Sequence, residues 1–236
     1  FGKPKKEKEA KSIGANIVSF YLEAFGSFGM KQGANAPVGR SAAFAYTTAL
    51  NHLLGKDSKQ RIQVGDASTV FWAAKDCEFE RQIVDFFGEP RKDDPDQNVR
   101  AVESLFKAAH TGVFVTDTDT TKFYVLGLAP NASRISIRFW IVSTVAEMAG
   151  NVRQHFIDTR IVHGPKERDA ISLFRLLVST ATLGKAENIT PNLGGDTLRS
   201  ILNGLPYPQT LLQAAVRRIK AEHEISHPRA AVIKAF

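Results

Sequence analysis

The chain has 236 residues, of which 43% are hydrophobic, and its 31 basic and 24 acidic side chains leave a formal net charge of +7. This is the composition of a globular protein rather than of a disordered chain, and it can bury a core in one large or two small domains. The basic excess lies at the two ends, since residues 1–60 have nine Lys or Arg against four acids and residues 151–236 have twelve against seven. This distribution suits a polyanionic partner, and it is also compatible with simple solubility.

The first predicted elements are a charged arm and a strand. Residues 1–11, FGKPKKEKEAK, form a lysine-rich run, and the apolar segment of a signal peptide does not follow it. Residues 13–21 have the composition of a strand. Because the chain begins without Met in this run, we expect it to be an internal fragment of a longer protein.

A glycine-rich loop and a helix come next. Residues 26–40 hold four glycines, a proline and several long polar side chains, so we expect a specialised loop, with Ser41 as the N-cap of a helix that runs to Leu54. Such a loop is often only a surface turn. Its polar groups are also suited to contact a nucleic-acid backbone or a base edge. The candidate nucleic-acid-binding residues here are Lys31, Gln32, Asn35 and Arg40.

A hairpin and two helices are predicted in the following segment. Residues 61–64 and 68–73 flank a Gly-Asp pair, which indicates a β-hairpin, and residues 77–87 have helical periodicity. Asp96 can cap a further helix that carries Val99 and Val102. Cys77 is the only cysteine, so an internal disulfide is excluded and we expect a cytoplasmic protein.

The middle of the chain predicts a second antiparallel strand pair. Residues 122–128 and 134–142 are separated by the turn-rich sequence APNAS. Alternation in the second strand predicts a basic face with Arg134, Ser136 and Arg138, and an apolar face with Ile135, Ile137 and Phe139. With Phe123 and Tyr124 nearby, this sheet could bind RNA on an aromatic platform, but a solvated outer face is the better interpretation.

The rest of the chain is predicted to be helical. Candidate helices span residues 143–157, 167–181, 196–203, 208–224 and 228–236. We therefore predict an α+β fold, in which a mixed body with antiparallel hairpins precedes an all-α segment that leads into a helical bundle. The predicted units are an α+β body with a basic N-terminal arm over residues 1–163 and a helical segment over residues 164–236. Eighteen uninterrupted apolar residues occur nowhere, so we expect no membrane segment.

Basic side chains are concentrated near the end of the chain, on helices whose other positions are apolar. A helix with a basic face is often only a solvated helix, but it can also bind a phosphate backbone or a displaced single strand. The candidates here are Arg217, Arg218, Lys220 and Arg229.

One motif suggests catalysis. HEISH, from His223 to His227, matches the zinc-protease pattern His-Glu-x-x-His. Pro228 disfavours helical geometry at His227, and no Asp, Glu or His follows to act as a third ligand. Cys77 lies in the acidic sequence CEFE, which raises a thiol pKa rather than lowering it. We therefore expect no catalytic residues, no metal and no cofactor.

Seven segments resemble the large subunit of the type I-C CRISPR Cascade complex, in the Csd or Dvulg-subtype family. The first five are GANIVSF, AFGSFG, QGANAPV, AFAYTTALNHLL and GDASTVFWA, and the later two are LGGDTLRSILNGLPYPQTLLQAAVRRIKAE and HPRAAVIKAF. The resemblance runs in order over nearly the whole chain from Ile13 onward. It departs at Tyr21, where Asn is expected in the family.

The resemblance implies a non-catalytic subunit of a crRNA-guided surveillance complex in antiviral defence. Such a subunit contributes to recognition of the PAM and the target double-stranded DNA, stabilises the R-loop and the non-target strand, and helps to recruit the nuclease-helicase. The implied partners are crRNA, target DNA, the backbone and small subunits of Cascade, and the recruited nuclease-helicase. The family protein is longer at both ends than this chain.

Two alternatives remain open beside this interpretation. The first is a zinc-dependent hydrolase that uses His223, Glu224 and His227. The second is a crRNA-docking or protein-docking module that makes no direct contact with DNA.

Overall fold

The computed structural model describes residues 23–26, 28–87, 120–131, 134–165, 167 and 170–236. Its strands form one antiparallel sheet in the order β1–β2–β3–β4: Arg61–Val64, Ala67–Ala73, Lys122–Asn131 and Arg134–Thr144. The described α-helices are α1 Arg40–Leu53, α2 Glu78–Phe87, α3 Val145–Thr159, α4 Leu173–Thr180, α5 Leu193–Asn203, α6 Gln209–Glu222 and α7 His227–Lys234. The predicted α+β class is confirmed. The predicted arm, the strand at residues 13–21 and the helix capped by Asp96 lie outside the described residues.

Both predicted strand pairs are confirmed. In the first hairpin, Val64 pairs with Ala67 across a two-residue turn, so β2 begins one residue earlier than predicted. Gly65 occupies the left-handed region with φ of 59°, which is a conformation that suits glycine. The second hairpin is longer than predicted, because Pro130 and Asn131 continue β3.

A β-bulge in β4 overturns the predicted alternation of that strand. Gly127 pairs with Phe139 and Leu128 pairs with Ile137, so Arg138 is the extra residue. One inserted residue exchanges the two faces of a strand on either side of it. Ile137 is therefore 58% exposed while Phe139 is buried, and the prediction that both lie on one apolar face is wrong.

Gly127 is required where the ring of Phe139 crosses β3. A Cβ atom at Gly127 would lie within 2.7 Å of Cε2 of Phe139, and a Cβ at Gly195 would lie 3.2 Å from Cε1 of the same ring. The ring thus lies between two glycines. A side chain at Gly127 would require the ring to shift, whereas Gly195 leaves a tight contact.

Replacing Gly127 by alanine is expected to destabilise the fold by about 1–3 kcal/mol, because the added methyl overpacks the core against Phe139. Urea unfolding followed by circular dichroism measures this change. The matched control is Gly150→Ala in α3, where a Cβ would meet nothing within 4 Å. That substitution is expected to stabilise the chain by about 0.5–1 kcal/mol through helix propensity. Equal effects of the two substitutions would contradict the packing of Phe139.

Several helix ends differ from the predictions because local capping decides them. The N-cap of α1 is Gly39 rather than Ser41, so Arg40 begins the helix. The N-cap of α4 is Ser172, whose hydroxyl accepts a hydrogen bond from the Arg175 N–H at 3.3 Å, and the predicted start at residue 167 is wrong. A capping box formed by Thr144 and Glu147 begins α3.

One buried core joins the inner face of the sheet to the helices. Phe71, Phe123 and Phe139 from the strands belong to the same cluster as Leu198 of α5 and Val232 of α7. The predicted boundary at residue 163 lies between α3 and α4, after the change from sheet to helix at Val145, and the division into two units stays a prediction. None of the described helices is long and apolar enough to cross a membrane.

The opposite face of the sheet is only partly covered. Val70 and Leu128 pack there with Leu54, and with Leu50 and Leu53 of α1, in a second and smaller cluster. No residue of α1 itself is buried, so only its C-terminal end holds it to the sheet.

Candidate nucleic-acid interface

The loop before α1 is fixed by its own hydrogen bonds. Lys31 is extended and exposed, and a single 3-10 turn, Gln32–Asn35, follows it. Asn35 Nδ2 donates to the carbonyl of Met30 at 3.0 Å, and the Ala36 N–H donates to Gly33 at 3.1 Å. The Asn35 amide thus closes the loop, which gives this predicted contact residue a structural role.

An exposed aromatic ring stands at the start of this loop. Phe28 is 98% exposed and has φ of 53°, and Gly29 follows with φ of 73°. A left-handed conformation costs a non-glycine residue about 1 kcal/mol, so this geometry is unusual for phenylalanine. The Phe28 ring is therefore exposed to solvent. It is close to Lys31 along the chain.

The two cations of the segment have accessible side chains. Lys31 and Arg40 are both exposed, and Arg40 is the first residue of α1. The N-cap Gly39 has no side chain to satisfy the first amides of that helix. The positive end of the helix dipole therefore adds to the charge of Arg40.

Three residues of the second predicted group lie on α6, and they divide into exposed and paired cations. Arg217 and Lys220 are exposed. Arg218 is partly buried, and its Nη1 donates to Oε1 of Glu222 one turn later at 3.3 Å. Among the described residues, α1 and α6 make no extensive contact with each other.

Arg229 is buried and fully engaged inside the protein. Its Nε donates to the carbonyl of Ser179 at 2.9 Å, its Nη1 donates to the carbonyl of Glu224 at 3.1 Å, and its Nη2 pairs with the Glu222 carboxylate. The residue is 6% exposed. Its guanidinium joins three segments of the helical layer, and we leave Arg229 out of the proposed nucleic-acid surface.

The HEISH segment lacks the geometry of a zinc-protease site. Helix α6 ends at Glu222, His223 is exposed in a left-handed conformation with φ of 54°, and α7 begins at His227. The two histidines are therefore not one turn apart on a continuous helix. His227 instead contacts Glu167, with 3.4 Å between Nδ1 and Oε2, and the ring of His163. The described residues contain no group of three potential metal ligands.

A pocket of about 230 Å³ lies where the β4 bulge meets the start of α5. Asp66 accepts hydrogen bonds there from Arg138 at 3.0 Å and from the Asn192 N–H at 3.2 Å. The cation and this carboxylate neutralise each other, so the pocket does not attract a phosphate strongly.

Sequence reasoning missed an aromatic cluster on the partly covered face of the sheet. The rings of Trp72 and Tyr124 stack with centroids 5.3 Å apart, and Trp140 lies 6.0 Å from Tyr124 and 5.6 Å from Trp72. Phe123, which was considered for an aromatic platform, is buried on the inner face. In the sequence, the alternation of Phe71 with Trp72 indicated that the two rings lie on opposite faces of a strand. The pairing register of β2, β3 and β4 was needed to show which rings meet.

A comparison with known protein families gives a match over nearly the full length of the chain. The family model described as CRISPR-associated protein (Cas_Csd1) matches residues 4–236. No curated protein matches the chain.

Proposed function

The chain belongs to this family of CRISPR-associated proteins, and we propose that it acts as the non-catalytic large subunit of a type I-C Cascade complex. In this role it contributes to recognition of the PAM and the target duplex, stabilises the R-loop and the displaced strand, and helps to recruit the nuclease-helicase. Its partners are crRNA, target double-stranded DNA, the backbone and small subunits and the nuclease-helicase, and it works in the cytoplasm.

The exposed, hydrogen-bonded loop before α1 is the observation that carries the DNA-binding part of the proposal. The Asn35 hydrogen bond fixes the loop, so less conformational entropy is lost when Lys31 and Arg40 meet phosphates. Cations contribute the sequence-independent part of DNA affinity, and guide pairing reads the target sequence. Arg217 and Lys220 on α6 provide a second cationic surface for a phosphate backbone.

Reversing both loop charges, Lys31→Glu with Arg40→Glu, is expected to weaken binding of the assembled complex to a PAM-containing duplex at least about tenfold. The slope of log K against log salt is negative, and each lost phosphate contact reduces its magnitude by about 0.9, so a total reduction near 2 is expected. Fluorescence anisotropy between 50 and 200 mM salt, a range in which phosphate contacts change affinity strongly, measures both quantities.

The control for this experiment is a double charge reversal elsewhere on the chain. Lys185 and Arg199 are exposed and lie outside the proposed surface. Lys185→Glu with Arg199→Glu makes the same change in net charge and is expected to leave the slope within about 0.5 of the wild-type value, as expected when no phosphate contact is lost. If the loop variant and the control behave alike, the loop does not bind DNA.

Docking of a protein partner is the second candidate role, and it does not compete with the first. The aromatic cluster and its exposed apolar neighbours Ile137 and Val142 favour it. The hydrolase alternative has no such support, since the HEISH histidines lie on either side of a break between two helices.

A further inference from the structure

The uncovered half of the outer sheet face is an apolar surface without a partner among the described residues. We define the outer aromatic face as Trp72, Tyr124, Ile137, Trp140 and Val142, whose side chains lie on the side of the sheet opposite the main core. Trp140 is 51% exposed and Val142 is 47% exposed. Exposed apolar groups that lie together in this way are typical of an interaction site.

On the adjacent half of this outer face, the sheet is covered by the end of α1. There the leucines at the end of α1 pack on Val70 and Leu128, and Trp72 packs against the same cluster. In the described part of the chain, Trp140 and Val142 beyond it stay exposed. The outer aromatic face is thus continuous with a packed contact between this sheet and a helix. An apolar segment laid beside α1 would complete the layer.

The arrangement of the rings favours a protein partner over nucleobases. Trp72 and Trp140 each stack on Tyr124, so part of each ring face is turned toward a neighbouring ring. Bases stack on free ring faces, and the flanking Ile137 and Val142 offer no such face. Tryptophan and tyrosine beside branched aliphatic residues are instead the usual anchors of protein interfaces.

The charges around this face define the chemistry of the partner. The charged residues that strand pairing places on this side are Arg61 and Lys122, and neither is acidic. Asp66 has its charge balanced by Arg138, which lies beside the start of α5. Glu147 is an ionised carboxylate held by Ser143 and Thr144, and it interacts only weakly with Lys122. A partner with acidic side chains at the edge of its apolar contact is therefore complementary.

We propose that the outer aromatic face docks another protein through an apolar segment flanked by Asp or Glu. The segment lies across Trp140 and Val142, and its acidic flank meets Lys122. This inference rests on the proposed function only in that a subunit of a complex has protein neighbours, and it is independent of DNA binding by the loop.

Site-specific photocrosslinking in the reconstituted complex tests the proposal. The photoreactive residue benzoylphenylalanine replaces Trp140, the chain is assembled with its Cascade subunits and crRNA, and the adducts are sequenced by mass spectrometry. The expected adduct joins position 140 to a subunit segment that contains Asp or Glu. The matched control places the same group at Val162, which is fully exposed on a connecting segment outside the sheet, and it is expected to give no adduct with that segment.

Three results would overturn the proposal: an adduct with crRNA or DNA, an adduct with this chain's own residues, or no adduct with a protein subunit. A second measurement uses Trp140→Lys together with Lys122→Glu. Because both side chains are exposed and outside the main core, the isolated variant is expected to stay folded although it loses the ring contacts of Trp140. Its affinity for the other subunits is expected to fall about 30-fold, as expected for the loss of an aromatic hot spot. Unchanged assembly would contradict the proposal.

The loop variant separates this inference from the proposed function. Lys31→Glu with Arg40→Glu is expected to keep the position 140 adduct while it loses duplex affinity. If duplex affinity depends on the loop but the adduct is absent, only the docking inference fails. If the adduct forms but the loop variant binds DNA normally, only the assignment of the DNA surface fails.

Discussion

Replacing Arg229 by methionine is expected to lower the free energy of unfolding by about 3 kcal/mol, because it removes a buried guanidinium that pairs with the partly exposed Glu222 and donates to two backbone carbonyls. The guanidinium links Glu222 to the backbone carbonyls of Ser179 and Glu224, and methionine leaves these acceptors without their donor. Glu222 keeps Arg218 as a partner, which moderates the loss. Urea unfolding at pH 7.5 measures the change.

The matched control for this prediction is Arg217→Met. Arg217 is exposed, so its removal is expected to change stability by no more than about 0.5 kcal/mol. If α6 binds a phosphate backbone, the same substitution decreases the salt slope of DNA binding by about 0.9. Arg229→Met is expected to leave that slope unchanged at a temperature where the variant is folded. A fully stable Arg229→Met variant with a reduced slope would reverse the roles of the two arginines.

The buried pair formed by His155 and Tyr207 is expected to make the fold sensitive to acid. Their Nδ1 and hydroxyl atoms lie 2.7 Å apart, and Nε2 of the imidazole is buried without a hydrogen-bond partner in the described part of the chain. Burial lowers the pKa of His155 to about 3. Burial, together with the charge of Asp158, raises the pKa of Tyr207, so the hydroxyl keeps its proton. The pair is therefore neutral in the folded protein.

The sign of the effect follows from which state binds the proton. Below about pH 6.5 the unfolded chain protonates this histidine while the folded chain does not, so acid favours unfolding. The contribution of His155 to stability is complete above that pH. It falls by roughly 1.4 kcal/mol per pH unit between about pH 6 and pH 4.

A double variant, His155→Phe with Tyr207→Phe, removes the titrating ring and the hydroxyl that would otherwise lose its partner. Its free energy of unfolding, measured by urea titration at several pH values from 7.5 to 4.5, is expected to fall less steeply than that of the wild type. The difference between the two slopes corresponds to about one proton. Parallel curves would show that His155 is not the acid-sensitive group.

Most of the secondary structure was predictable from local patterns. The hairpin around Gly65 and the strand pair that begins at Lys122 follow from alternation and turn residues. The bulge at Arg138 was not predictable, because it depends on how the Phe139 ring fits between Gly127 and Gly195 across the sheet. The late start of α4 was missed because the cap at Ser172 outweighs the helical composition before it.

The candidate site was predictable only in part. Lys31, Arg40, Arg217 and Lys220 are exposed, so the structure leaves them accessible as the proposed contacts. Composition could not distinguish Arg217 from Arg229, since both are arginines in basic helical segments. Gln32 lies at the start of the 3-10 turn, and whether it contacts DNA stays a prediction.

The sequence by itself determined the α+β class, the main strand pairs and, through its resemblance, the CRISPR-associated family. These follow from periodicity, turn chemistry and ordered motifs, all of which are local along the chain. The tertiary structure alone decided that Arg229 is a buried link, that the HEISH histidines lie on either side of a helix break, and that three aromatic rings meet on the outer side of the sheet. Burial and register depend on residues far apart in sequence, and side chains of one chemical type take different roles according to those distant neighbours.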